Sequence, residues 1–232
     1  MAIHTDSNYH SGLNLHPARA WYQTQQKTAV NTNTILRSGA AIFLIAMTLF
    51  VQPAAATGDV EQGKQTGFTC MGCHGIAGYR NAYPSFRVPR LGGQRGAYIE
   101  AALRAYREGT RKHPTMRAHA AALTDQDIDN LIAWITASGD ARDTVTTQTA
   151  AQVAPAATCV DCHGADGEGV IPQPPTLAGQ EVDYLEYALN QYKDGTRSGT
   201  VMTAFTASLS DADIALLAKF YGSQDGLKTL QQ

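Results

Sequence analysis

Cys70-Met71-Gly72-Cys73-His74 and Cys159-Val160-Asp161-Cys162-His163 together hold all four cysteines of a 232-residue chain. Cys-x-x-Cys-His is the attachment pattern of c-type haem. In it, two thiols add across the haem vinyl groups as thioethers and the adjacent imidazole becomes an axial iron ligand. Cysteines three apart on one helical turn share a face, so both can reach the same porphyrin edge. The expectation is two covalently bound haem c groups, held by Cys70 and Cys73 and by Cys159 and Cys162, with His74 and His163 on the irons.

Cys-x-x-Cys alone also serves zinc sites and thioredoxin-like redox centres. One shared zinc would leave the histidine after each pair unexplained and would have to join pairs most of a domain apart. A thioredoxin-like centre requires a βαβ setting, and no strand-rich stretch precedes either motif. Cysteine confined to these motifs also argues against a disulfide scaffold.

The motifs start 89 residues apart and the likeness continues beyond them. Pro89-Arg90-Leu91-Gly92-Gly93-Gln94 matches Pro175-Thr176-Leu177-Ala178-Gly179-Gln180, now at an offset of 86. At that offset Tyr98, Leu103, Tyr106, Gly109, Thr110 and Arg111 match Tyr184, Leu189, Tyr192, Gly195, Thr196 and Arg197. Met116 then matches Met202, and Leu123-Thr124-Asp125 matches Leu209-Ser210-Asp211. The economical division is residues 1–56 as leader, 57–143 as a first domain and 144–232 as a second, joined through Asp143 to Ala157.

Both repeats read as helical, giving an all-α fold in which each domain wraps one haem. Ile128, Leu131, Ile132 and Ile135 recur at i, i+3, i+4, i+7, as do Ile214, Leu217, Ala218 and Tyr221. Each such helix opens on a hydroxyl residue with Asp three positions later, Thr124 with Asp127 and Ser210 with Asp213, a capping-box pattern. A middle helix in each half runs over about 95–108 and 181–194, stopping at a glycine. Domains under about ninety residues have thin cores, and a covalent haem supplies apolar contact they lack. Pro155 lies where a helix should precede Cys159, so that helix is expected to begin late.

Ala40 to Val51 is apolar except for Thr48. It is too short for a hydrocarbon core needing about 20 residues, and suits a signal-peptide core. Arg37 precedes it, and Pro53-Ala54-Ala55-Ala56-Thr57 offers a small-residue cleavage site after Ala56. The polar first 36 residues exceed an ordinary n-region; a misplaced start codon and a true extension both account for them, and an uncleaved anchor is a third reading. Export to the periplasm agrees with haem attachment outside the cytoplasm.

Residues 57–143 carry 11 Lys and Arg against 9 Asp and Glu, and residues 144–232 carry 4 against 10. Arg80, Arg87, Arg90 and Arg95 crowd the segment after the first motif, where the second copy has Asp166, Glu168 and Glu181. Opposite signs on two halves create a dipole able to orient encounters, so the basic and acidic domains are expected to dock different partners.

Each haem needs a ligand on its other face, and Met116 and Met202 occupy equivalent positions after a Gly-Thr-Arg turn. In the second half Met202 is the sole methionine and His163 the sole histidine, which excludes bis-histidine ligation there. In the first half His113 and His119 flank Met116 as competitors, with Gly199 and Phe205 as their unrelated counterparts. His/Met ligation fills both axial positions, raises the iron potential relative to bis-His, and leaves no open site for oxygen or peroxide chemistry.

These features resemble the di-haem cytochrome c4 family, two class I cytochrome c domains in tandem, over nearly everything after residue 57. The resemblance rests on CMGCH and CVDCH, PRLGGQ and PTLAGQ, the two GTR turns and the two methionines. It implies that Pro89 and Pro175 offer a carbonyl to the Nδ1–H of the axial histidine. It also implies a periplasmic carrier passing single electrons from a quinol-oxidising complex or donor cytochrome to a terminal oxidase or copper protein. No nucleic acid is expected, and no membrane contact except through partners or an uncleaved leader. The rivals are a di-haem subunit of a dehydrogenase, such as a flavocytochrome oxidising sulfide, and a di-haem peroxidase, which needs an open or displaceable ligand.

Overall fold

Glycine sets the first helix crossing. The computed structural model describes residues 58–139 and 153–231, which lie in one compact unit, Ala55–Gln232. Helix α1 (Val60–Thr66) crosses α5 (Asp125–Ala137) so closely that a Cβ on Gly63 would lie 2.1 Å from the Asn130 carbonyl oxygen. One on Gly67 would lie 2.1 Å from Cζ3 of Trp134. Between these helices come α2 (Met71–His74), α3 (Gly96–Glu108) and α4 (Pro114–Ala120). The second half repeats the order with α6 (Val160–His163), α7 (Val182–Lys193), α8 (Met202–Thr206) and α9 (Asp211–Gly222).

Local sequence accounts for these ends. Both capping boxes form: Thr124 Oγ1 accepts from Asp127 N and Ser210 Oγ from Asp213 N, each at 3.1 Å, while each Asp carboxylate accepts the cap residue's backbone N–H at 2.9 Å. The cap hydroxyls also donate to these carboxylates at 2.6 Å, and with the backbone N–H they hold the Asp127 and Asp213 carboxyls below the ordinary carboxylate range. Helix α3 ends at Gly109, whose φ of 80° is left-handed backbone that glycine adopts without a Cβ clash. Ahead of Cys159 the described chain forms a short 3₁₀ turn, Ala154–Ala156, with Pro155 in its first turn.

Two small cores result. Ile99, Leu131, Trp134 and Ile135 form the first, which also takes in Leu230 from the far end of the chain. Ala156, Leu185, Leu217, Ala218, Phe220 and Tyr221 form the second. Among the described residues the only β pairings are two isolated bridges, Arg80 with Arg87 and Gly92 with Lys228.

The halves meet along the segments that the repeat singled out. Gln94 Oε1 accepts from Thr176 N at 2.9 Å and its Nε2 donates to Thr176 O at 3.0 Å. Gln180 does the same with Arg90, at 2.8 and 3.0 Å. Since Gln94 matches Gln180 and Arg90 matches Thr176, the contact has a pseudo-two-fold axis.

Opposite charges meet in this contact. Arg80 pairs with Asp183 at 2.9 Å and Arg90 with Glu181 at 2.9 Å, and Arg87 approaches Glu181 and Asp183 at 3.9 and 3.6 Å. Arg95 donates to the carbonyls of Glu168, Gly169 and Ile171. Three of the arginines that crowd the segment after the first motif thus pair with the acidic half and the fourth binds its carbonyls, while the side chains of Arg80 and Arg87 remain almost half exposed.

The leader (1–56), its cleavage site and most of the joining segment lie outside the described residues. Among the described residues no helix is long and apolar enough to cross a membrane.

Candidate haem sites

Each attachment motif is a helical turn with its histidine turned inward. Cys70 closes a 3₁₀ turn (Gly67–Cys70) and Cys73 lies on α2; Cys159 is the N-cap of α6 and Cys162 lies within it. No disulfide joins the four cysteines, and all are half-buried. Burial raises the Cys70 and Cys159 thiols above the ordinary range, so before haem attachment they are neutral thiols. Among the described residues no three His, Cys, Asp or Glu side chains converge on a point that could hold a metal ion. All four cysteines are described, so the two pairs do not share a tetrahedral site.

His74 and His163 are buried, at 9% and 6% exposure. His74 Nδ1 lies 2.8 Å from the Pro89 carbonyl oxygen, and His163 Nδ1 lies 3.1 Å from that of Pro175. A carbonyl only accepts, so in each ring Nδ1 carries the proton and Nε2 keeps its lone pair. Burial pushes His74 down to about 4, with the proline carbonyl opposing and His113 and His119 reinforcing the shift. Burial also lowers His163, opposed by Pro175 and reinforced by Arg95. Both rings are thus neutral near pH 7, the state in which imidazole binds iron.

Met116 lies in the first turn of α4 and Met202 opens α8, both half-buried. His113 serves as N-cap of α4: its Nδ1 accepts the Met116 backbone N–H at 3.3 Å, and its ring meets Tyr106 edge-on. His119 is exposed. Met71 packs on the first core with its methyl against Gly75, where an added Cβ would lie 2.5 Å from Cε.

These features fit haem. Each half offers a thiol pair on one turn, a neutral inward imidazole oriented through its remote nitrogen, and a core of few residues. In the second half the Tyr221 hydroxyl is buried in the same cluster as Cys159, with no hydrogen-bond partner among the described residues.

The family model described as cytochrome c matches residues 60–138 and again 148–224. The chain belongs to the cytochrome c family. It is a di-haem, c4-like member, with two haem c groups bound covalently through the two cysteine pairs. Over 198 residues it is 31% identical to a thiosulfate dehydrogenase electron acceptor of Stutzerimonas stutzeri, covering 77% of this chain and 91% of that one. Cytochrome c4 of Acidithiobacillus ferrooxidans superposes with a TM-score of 0.56 at 31% identity, covering 68% of this chain and 99% of that structure. A thiosulfate dehydrogenase (TsdBA) structure from Marichromatium purpuratum superposes with a TM-score of 0.57 at 29% identity, over 71% of this chain and 40% of that one. This cytochrome is an electron-transfer protein, related both to free cytochrome c4 and to dehydrogenase-associated cytochromes, and it therefore works with redox partners.

A further cluster joins the two halves of this cytochrome. Arg111 donates to the hydroxyls of Tyr184 (3.0 Å) and Tyr98 (3.4 Å), and Arg197 donates to that of Tyr98 (3.3 Å). Each guanidinium lies over a second tyrosine ring, Arg111 on Tyr106 at 4.5 Å and Arg197 on Tyr192 at 4.4 Å. Burial alone would raise the Tyr98 phenol, but the two cations outweigh it and bring Tyr98 to about 7. The repeat had marked every one of these residues, and Gln94 and Gln180 too. Their matching read as shared framework, since one sequence does not reveal which repeated positions face each other.

Proposed function

We propose that the iron of the first half is held by His74 and Met116 and that of the second by His163 and Met202, both low-spin and six-coordinate. The observation that carries this is the inward imidazole with Nδ1 committed to a proline carbonyl in both halves, followed in each by a half-buried methionine at the same repeat position. His113 and His119 both act electrostatically on His74, so α4 lies toward that ring. Of the three candidate residues there, His113 is engaged as a helix cap and His119 is exposed. Pro89 and Pro175 act by fixing imidazole orientation and basicity.

Haem c supplies a one-electron iron couple, and the chain closes both axial positions around it. The protein then works by outer-sphere transfer at the haem edges, in the periplasm. It takes electrons from a quinol-oxidising complex or donor cytochrome and passes them to a terminal oxidase or copper protein. A second reading is the electron acceptor of a dedicated dehydrogenase, favoured by likeness over most of the chain to an acceptor for thiosulfate dehydrogenase. Co-purification with a dehydrogenase separates the two readings.

Redox titration of the mature holoprotein, with the weak red-end methionine-to-iron band followed, tests the ligation. Met116→Leu and Met202→Leu should each abolish half of the band and lower the potential of one iron. Full band intensity in either variant would overturn that assignment.

A further inference from the structure

The carbonyl that ends each attachment helix is satisfied differently in the two halves. His163 O accepts from Gly169 N at 2.6 Å, within its own loop. His74 O accepts from Leu230 N at 3.0 Å, at the opposite end of the chain. Leu230 is 1% exposed and belongs to the first core, with Ile99, Leu131, Trp134 and Ile135.

The rest of this tail grips the loop that orients the same ring. Lys228 and Gly92 exchange two backbone hydrogen bonds, at 3.0 and 2.9 Å, whereas the preceding Leu227 N donates at 2.8 Å to Ala178 O, the counterpart of Gly92 in the loop of the second half. Gly92 follows Pro89, whose carbonyl takes the His74 Nδ1–H, by three residues. A Cβ on Gly92 would lie 2.9 Å from Ser138 O and 3.1 Å from Lys228 O, so the tail lies hard against the loop.

We propose that residues 228–230 are a strap by which the second half positions the His74 imidazole, with Leu230 and Lys228 as positioning residues for the first redox centre. The strap fixes both restraints on that ring, its own backbone and the Pro89 loop. Remote hydrogen bonding of an axial imidazole tunes an iron's potential and the strength of its ligation. The first centre therefore depends on a segment encoded after the second, whereas the carbonyl beside His163 depends on its own loop.

The inference rests on His74 as an axial ligand, and the test separates the two claims. Leu230→Pro removes the donor to His74 O; Leu230→Ala keeps every backbone donor but removes the anchor. In holoprotein carrying two haems, each variant should shift one of the two reduction waves, the one that Met116→Leu also moves. Each should also lose half of the red-end band at a lower pH than wild type, the alanine variant less severely. The other wave should stay in place. Two unshifted waves, or equal shifts in both, would overturn the strap. A wild-type protein lacking the band from its first centre would instead overturn the axial assignment. Should the proline variant fail to mature, Leu230→Ala decides alone: a shifted first wave supports the strap and an unshifted one overturns it.

Discussion

Gln94 and Gln180 perform the same act on each other's half. Each carboxamide accepts the backbone N–H and donates to the C=O of one residue across the contact, and its Oε1 also accepts from the next residue in its own chain, Arg95 or Glu181. Gln94 is 2% and Gln180 5% exposed. Three backbone groups, two across the contact and the N–H of the following residue, would lose this partner if either side chain were removed, at about 1–3 kcal/mol for each one left unsatisfied. Gln94→Ala and Gln180→Ala are each expected to cost about 3 kcal/mol. Denaturant unfolding followed by haem absorbance should turn one transition into two as the halves uncouple. A single unshifted transition would argue against the clamp.

The α1–α5 crossing gives a second expectation. Gly63→Ala and Gly67→Ala insert a methyl group where the nearest atoms lie 2.1 Å away, a backbone oxygen in one case and an indole ring in the other. Overpacking of this kind costs about 3 kcal/mol or more. Gly72→Ala, at a helical position where nothing lies within 4 Å of the added Cβ, controls for the change in residue type and should cost less. Thermal unfolding of the three variants checks the ranking.

Stability should depend on pH through Tyr98. Its folded value of about 7 lies below the ordinary phenol value of about 10. For an acid depressed by folding, the contribution is complete above the unfolded value and is lost as pH falls through the folded one. The unfolding free energy is therefore expected to rise between about pH 7 and 10. The groups facing Tyr98 are Arg111, Arg197, Tyr184, Tyr106 and Tyr192; Tyr192 is pushed up to about 12 by burial, so its opposing effect lies at higher pH. Tyr98→Phe should flatten the rise, and ultraviolet titration should lose one phenol ionising near neutrality.

Arg80 and Arg87 make a fourth test. Both are almost half exposed, at 46% and 44% of the side chain, and pair with Asp183 and Glu181. Partly exposed pairs contribute up to about 1 kcal/mol each. Arg80→Gln with Arg87→Gln should lower stability by about that amount and sharpen its dependence on salt, while leaving electron exchange with a small neutral mediator unchanged. A slowed exchange with that mediator would show that the clasp also shapes the haem edges.

Much of this was legible in the chain. The cysteine spacing located both attachment turns, and the hydroxyl–Asp pairs located the starts of α5 and α9 to the residue. The helical period needs only local information, and so does a cap. What stayed hidden depends on long-range partners. Arg80, Arg87 and Arg90 read as a basic surface because nothing local says that Glu181 and Asp183 lie opposite. Leu230 carries no local signal, because its place in the first core follows from the path of the whole chain. Gln94, Tyr98 and Arg111 were visible as repeated residues, yet only the pseudo-two-fold contact gives them a task.

The central claim is that both irons are closed at six coordinates and carry electrons. Carbon monoxide titration of the fully reduced holoprotein near pH 7 tests it most directly. Irons closed by His74 with Met116 and by His163 with Met202 should leave the reduced haem spectrum unchanged at both centres, and a carbon monoxide adduct at one or both haems would contradict that closure.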